Sequence, residues 1–407
     1  MFSLAFVPFL ALFGGGEVMA LRPDDCRGLP QAIACWQVDV DKLLLDSLRQ
    51  GDVVDLGLPE PWGREAELRG RRMAGLGVEV LELYLPALSE PRVLLYHKDS
   101  KLSALFYNGS QAFLLEPFSG GNRLLQLRDD GFPACGGTLP ALQAERGEYP
   151  LLDDGSRIDV MVVYTPQARA AAGGSAAMEV TIQNAVDATN EAYANSQILP
   201  RLHLVHAAEV AHGDAGNLSS DLSWVASDAG VAALRDLHRA DMVSLLVEDG
   251  AGFCGMGYVQ RNPGPGFSGS AFQVTARGCA VGNLSFAHEF GHNQGCEHNP
   301  ENTSAWPSGA SYPWSFGHYH NGSYRTVMSY SAPCTSGCPR HPYFSNAAVL
   351  HLGLPTGVTD QRENYRTINE TAIYVANFRQ GCAAHDWQDW PATNVAAFVS
   401  ALNAGCL

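Results

Sequence analysis

His288-Glu289-Phe290-Gly291-His292-Asn293-Gln294-Gly295-Cys296-Glu297-His298 is the stretch that decides the reading of this chain. Two histidines four positions apart on a helix stand one turn above each other on the same face, so both imidazoles can meet one metal ion. The helix is expected over about residues 283 to 294. Gly295, three residues past His292, can adopt the left-handed conformation that ends a helix and turns the chain back. His298 then returns as the third ligand. Three protein nitrogens with the fourth position left to water is the arrangement of a catalytic zinc; a structural site is closed by a fourth residue.

Glu289 follows the first histidine, rotated by about 100° on a helix, and so reaches the water without ligating the metal. Zinc lowers the pKa of its water from about 15.7 toward about 7, Glu289 takes the proton as general base, and the hydroxide attacks a carbonyl that the metal polarises. The proton then passes to the leaving amine. A bare His-x-x-x-His pair would read equally well as a polar helix face. Five required residues at fixed offsets, in a chain with thirteen histidines among 407 residues, argue for Zn2+ at His288, His292 and His298.

This pattern resembles that of the metzincin metallopeptidases. The resemblance implies a methionine turn beneath the metal, and Thr326-Val327-Met328-Ser329-Tyr330-Ser331 offers Met328 for it. The wider similarity is to the reprolysin-like branch, and within it to secreted bacterial enzymes of the peptidyl-Asp metalloendopeptidase type. It is carried by Ile158-Asp159-Val160-Met161-Val162-Val163-Tyr164-Thr165, by Cys279 to His288 and by Pro342-Tyr343-Phe344-Ser345-Asn346, and it spans roughly residues 156 to 380. Tyr330 stands two residues after Met328, as in astacin- and serralysin-like metzincins. There such a tyrosine reaches the zinc or the tetrahedral intermediate; here the alternative is a tyrosine packed below the site.

The catalytic part reads as alternating strand and helix. Ile158 to Tyr164 is strand-like, Met178, Ile182, Ala185, Val186, Thr189 and Tyr193 recur with helical spacing, and Arg201 to Val210 is strand-like again. A helix near Val231 to His238, the apolar run Met242 to Val247 and the segments Phe253 to Gln260 and Ala271 to Thr275 follow. The fold class is therefore α/β: a metzincin-type domain with a mostly parallel twisted sheet, an active-site helix and an irregular C-terminal subdomain. The resemblance puts one strand at the open edge above the zinc, where an extended peptide could add to the sheet.

Upstream, segments such as Val93-Leu94-Leu95-Tyr96 and Ala104-Leu105-Phe106-Tyr107 between turn residues suggest a small strand-rich domain. The resembling families imply a propeptide that chaperones and inhibits. The expected organisation is a signal peptide over 1–20, a propeptide domain over 21–150, the catalytic domain over 151–382 and a C-terminal tail over 383–407. The apolar run Met1 to Phe13 and the small residues before Leu21 motivate the first of these. No later stretch is long and apolar enough for a membrane span. Release of the propeptide is expected between Gly136 and Arg157, with Asp153-Asp154 a candidate for self-processing.

Ten cysteines without a Cys-x-x-Cys motif fit an oxidising compartment and disulfides. Cys254 with Cys279 and Cys382 with Cys406 are the preferred pairs, and Cys296, Cys334 and Cys338 could supply a third bridge. Cys135 has two readings. It could occupy the zinc's open position as a cysteine switch, or form a disulfide to Cys26 or Cys35; the arginine and acid that flank matrixin-like switches are missing.

A net charge of −16 leaves no basic stripe for phosphates and argues against nucleic acid. The expected protein is a secreted, monomeric zinc endopeptidase made as a zymogen, acting on proteins or peptides, with its own propeptide as inhibitor. If it prefers acidic residues, a cation must line the pocket, and Arg340 is the candidate ahead of Arg325 and Arg366. The contrasting reading is a metzincin-fold binding or adhesion protein without turnover. Glu289 discriminates, since such a protein would be free to lose the base.

Overall fold

The computed structural model describes residues 17–58, 64–142, 151 and 153–379. Residues 17 to 127 build a nine-stranded antiparallel sheet. Its order runs from Met19–Pro23 through Ala32–Val40, Gly121–Leu127, Gln111–Phe118, Lys101–Asn108, Arg92–Lys98, Glu79–Tyr84 and Glu65–Met73 to Val53–Asp55. Tight hairpins make this meander. Asp99 and Ser100 both take positive φ between the paired Lys98 and Lys101, the geometry of a two-residue turn that matches strand twist. One face packs its own core around Leu68, Leu81, Leu95, Leu102 and Phe113. Leu114, Leu125 and Leu127 instead join the core of the following domain.

This region is strand-rich as expected, but it is no small appendage. Arg72 pairs with Asp187, Lys98 with Glu179, and Asn184 donates to Ser103 Oγ at 2.7 Å, so the sheet is seated along the helix Ser175–Asn195. The boundary expected after Ala20 falls inside the first strand, where Val18 and Met19 are buried and Met19 pairs with Val40. The leader-like run Met1 to Phe13 lies outside the described residues.

The second sheet has six strands in the order Thr138–Pro140, Gly255–Val259, Phe272–Ala276, Met242–Val247, Arg157–Tyr164 and Arg201–Glu209. Arg157–Tyr164 pairs parallel with both neighbours, and Met242–Val247 pairs parallel with Phe272–Ala276. Continuous burial along Ile158–Tyr164 and Met242–Val247 explains their unbroken apolar runs. Gly255–Val259 reverses direction against Phe272–Ala276.

Helices pack on this sheet. Ser175–Asn195 buries Met178, Ile182, Ala185, Val186, Thr189 and Tyr193, the residues whose spacing marked it. Leu218–Ser227, capped by Asn217, and Pro166–Ala172, capped by Thr165, escaped the periodicity reading. Beyond the helix Ser285–Asn293, residues 294 to 363 are mostly turns with two short hairpins, Tyr319–His320 with Tyr324–Arg325 and Leu350–His351 with Leu354–Pro355. The helix Asn364–Val375 then packs back, and Asn377 exchanges 3.0 Å hydrogen bonds with the backbone of Asp153.

Cys254–Cys279 is a disulfide, as the sequence suggested. Cys334 pairs with Cys338, so the bridge from Cys296 does not form; Cys296 is a buried free thiol. Cys26 pairs with Cys35, which leaves neither for Cys135. Cys382, Cys406 and the tail over 383–407 lie outside the described residues.

Candidate metal centre and active site

His288 and His292 project from one face of Ser285–Asn293, and Gly295 ends that helix at φ +93°. The turn is closed by Cys296 N–H donating to Gly291 O at 2.9 Å. A side chain at Gly295 would be strained by its φ and crowded, its Cβ 3.0 Å from Ser311 Oγ. His298 returns as the offset required. The three Nε2 atoms stand 3.0 to 3.2 Å apart.

The other ring edges fix the protons. His288 Nδ1 meets Val327 O at 2.8 Å and His292 Nδ1 meets Cys296 O at 2.7 Å, contacts in which the imidazole N–H must donate. The Nε2 atoms of those rings are therefore bare lone pairs facing each other and His298. Burial, followed by mutual repulsion for His288 and His298, holds those two rings well below the ordinary histidine range, and burial above all pushes His292 down to about 4. Three neutral imidazoles aimed at one point fit a divalent cation and little else.

Glu289 is fully buried beside them, and neither carboxylate oxygen has a hydrogen-bond partner. Burial raises its pKa to about 8, opposed by Cys135 and Arg340. Its space is created by glycines on the strand Gly255–Val259: a Cβ on Gly255 would stand 2.6 Å from Glu289 Oε1. Gly255 carried no signal in the sequence, and neither did Asn293, whose amide donates to Tyr258 O and Phe272 O at 2.9 and 3.0 Å and ties the helix to two strands.

Met328 is fully buried below the histidines, against Gly291, where a Cβ would stand 2.5 Å from its sulfur. Val327 O in the same turn holds His288. Tyr330 lies over the site, its ring centre 4.3 Å from that of His298. Its hydroxyl donates to Cys135 O at 3.1 Å.

Cys135 completes a four-residue cluster. Its Sγ and one nitrogen each of His288, His292 and His298 all lie within 4.8 Å of one another. The flanking chain runs along the outer edge of the sheet, with Cys254 N–H donating to Ala134 O, Gly136 N–H donating to Gly255 O, and Thr138 to Pro140 pairing parallel with Gly257 to Val259. Burial, then the nearby Glu289 charge, pushes the Cys135 thiol well up.

Arg340 lies nearby, half-buried. It donates to Asn283 O at 2.7 Å and Ser329 O at 3.2 Å and keeps an unpartnered Nε. Burial, then Arg325, lowers its pKa to about 9. Arg325 pairs with Asp129 and donates to Cys338 O. Both arginines border a cavity with Phe132, Cys135, Asn283 and Tyr330. Arg366 is engaged elsewhere, stacked on Trp314 and paired with Glu370.

Converging imidazoles, an orphaned carboxylate and an adjacent sheet edge define a metal-dependent hydrolase of polypeptides. Residues 154–345 match the family described as Reprolysin_5, metallo-peptidase family M12. A peptidyl-Asp metalloendopeptidase of Xanthomonas campestris pv. campestris is 29% identical over 354 residues, 82% of this chain and 78% of that protein. One of Stenotrophomonas maltophilia (strain R551-3) is 32% identical over 232 residues, 54% of this chain and 52% of that protein. A solved structure, metalloproteinase-II from Bacteroides fragilis, aligns with a TM-score of 0.41 at 10% identity, over 75% of this chain and 87% of that one. Residues 154–345 carry the match to metallo-peptidase family M12, and the chain is a metalloendopeptidase.

Proposed function

We propose that this chain is a secreted zinc endopeptidase, made as a zymogen, that cuts polypeptides beside acidic residues. One observation supports this above the rest: three imidazole nitrogens converge beside an unpartnered buried carboxylate, and a free thiol from the preceding region closes the gap.

His288, His292 and His298 would hold the zinc, which fits their all-nitrogen set. When bound, zinc polarises the scissile carbonyl and makes water acidic enough to be used at neutral pH. Glu289 accepts the proton of the attacking water and delivers it to the leaving nitrogen as the C–N bond breaks. A cation beside it favours the ionised carboxylate and offsets the burial that raises its pKa. Met328 supports the histidines from below, and Val327 O orients His288.

The substrate would add to the edge strand Gly255–Val259, paired through backbone groups, so no chain end is needed. Residues 134 to 140 hold that edge in this structure. They present a thiol to the histidines where a substrate presents its scissile carbonyl, which supports reading the region up to about residue 150 as an inhibitory propeptide and Cys135 as its switch. Arg340 and Arg325 supply positive charge for an acidic side chain, and Asp129 of the preceding region pairs with Arg325 as such a side chain would. The relatives' name, peptidyl-Asp metalloendopeptidase, agrees with aspartate. Secretion is supported by the disulfides and the leader-like N-terminal run.

Digestion of a denatured protein mixture by processed enzyme, with and without chelator, tests this reading. Cuts clustered beside aspartate that vanish with chelator are expected; no cleavage in the presence of zinc would favour a binding protein.

A further inference from the structure

A second group of ligand-type side chains lies where the N-terminal sheet meets the catalytic domain. Glu90 sits in the turn between Glu79–Tyr84 and Arg92–Lys98; His341 follows Arg340; His351 ends the short strand Leu350–His351. One donor atom of each falls within 4.8 Å of the others.

What sets the group apart is that its polar atoms have no other use. His341 has no exposed surface, and neither of its ring nitrogens has a partner. His351 Nε2 is likewise buried without one, as is the hydroxyl of Tyr107, on which the His341 ring stacks. Aromatic packing accounts for the ring faces, since His341 lies 4.4 Å from His351 and Tyr343 lies 4.7 Å from His351 between ring centres. It does nothing for nitrogens in the ring plane. Buried polar atoms are nearly always satisfied, and four orphans in one place point to a missing partner. Glu90 makes no hydrogen bond or ion pair among the described residues, and Glu191 stands close enough to repel its charge. A cation would take one nitrogen of each histidine and the Glu90 carboxylate, leaving the second His341 nitrogen and the phenol to other partners.

We propose that Glu90, His341 and His351 form a second divalent-metal site, separate from the three-histidine centre, that fastens the N-terminal region to the catalytic domain. Two imidazoles and one carboxylate are a borderline-soft set, which suits zinc better than calcium or magnesium. The ligands come from both regions, so the ion exists at full strength only while the N-terminal region is in place. After that region leaves, the two histidines remain without the carboxylate.

The test uses the full chain with Glu289→Gln, which prevents self-processing. The protein is saturated with zinc, desalted, and its metal counted by mass spectrometry. Two zinc ions per chain are expected, falling to one with Glu90→Gln, an isosteric change that removes only the charge, and to one with His351→Gln. A further chain carrying His288→Ala and His292→Ala should keep one zinc and lose it when Glu90→Gln is added, with circular dichroism confirming the fold. A single ion in the starting chain, or an unchanged count on Glu90→Gln, overturns the site.

Discussion

The Tyr330 hydroxyl donates to the carbonyl of Cys135 at 3.1 Å, joining the turn beneath the histidines to the segment that covers them. The same tyrosine stands over His298. A group expected to serve the tetrahedral intermediate is thus engaged by the covering segment and becomes available when that segment departs. In the unprocessed chain, Tyr330→Phe should cost about 1 kcal/mol of that closure, or roughly fivefold in residual activity. In processed enzyme the same variant should lower kcat while leaving KM nearly unchanged. Equal kcat would leave the tyrosine a packing role only.

Cys135→Ser in the unprocessed chain should raise peptide hydrolysis on the order of tenfold or more, because a hydroxyl is a far poorer zinc ligand than a thiolate. The comparison requires a variant blocked at the connector so that processing does not contribute. Activity as low as in the unaltered chain would assign latency to the edge-strand segment alone.

Arg340→Gln should narrow the preference for aspartate. Losing a charged partner to a carboxylate costs about 1.5–3 kcal/mol, roughly 10- to 150-fold in kcat/KM for an aspartyl peptide relative to its alanyl counterpart. Measurement on a matched peptide pair separates this from general loss of activity. An unchanged ratio would move the specificity to Arg325 or elsewhere.

Gly255→Ala tests the space around the proposed base. The added carbon would meet Glu289 Oε1 at 2.6 Å, so the carboxylate must shift, and misplacement of about 1 Å costs on the order of 100-fold in rate. The defect should appear in kcat, with zinc content unaltered. A normal kcat would show that Glu289 has room to spare.

The eleven residues from His288 to His298 were legible because every offset in them is geometric: four residues make one helical turn, and a glycine makes the reversal. The strand Arg157–Tyr164 and the helix Ser175–Asn195 were readable from burial patterns of period one and 3.6. The helix Leu218–Ser227 was not, since four of its ten residues are serine and its stability comes from Asn217 at its start and packing of Leu218, Leu222 and Val225. Gly255 and Gly257 fell within the segment read as a strand, Phe253 to Gln260; their purpose appears only when the active-site helix lies against them. Cysteine pairing was partly legible. Cys254 and Cys279 flank the antiparallel pair Gly255–Val259 and Phe272–Ala276, whereas the freedom of Cys135 follows from Cys26 and Cys35 finding each other.

The most direct test of the central claim is the turnover number of processed, zinc-loaded enzyme carrying Glu289→Gln. The amide keeps the size of the side chain and the three histidines but cannot accept a proton, so kcat should fall by about 10²- to 10⁴-fold with zinc content unchanged. Hydrolysis at the rate of the unaltered enzyme would contradict a carboxylate base beside a three-histidine metal.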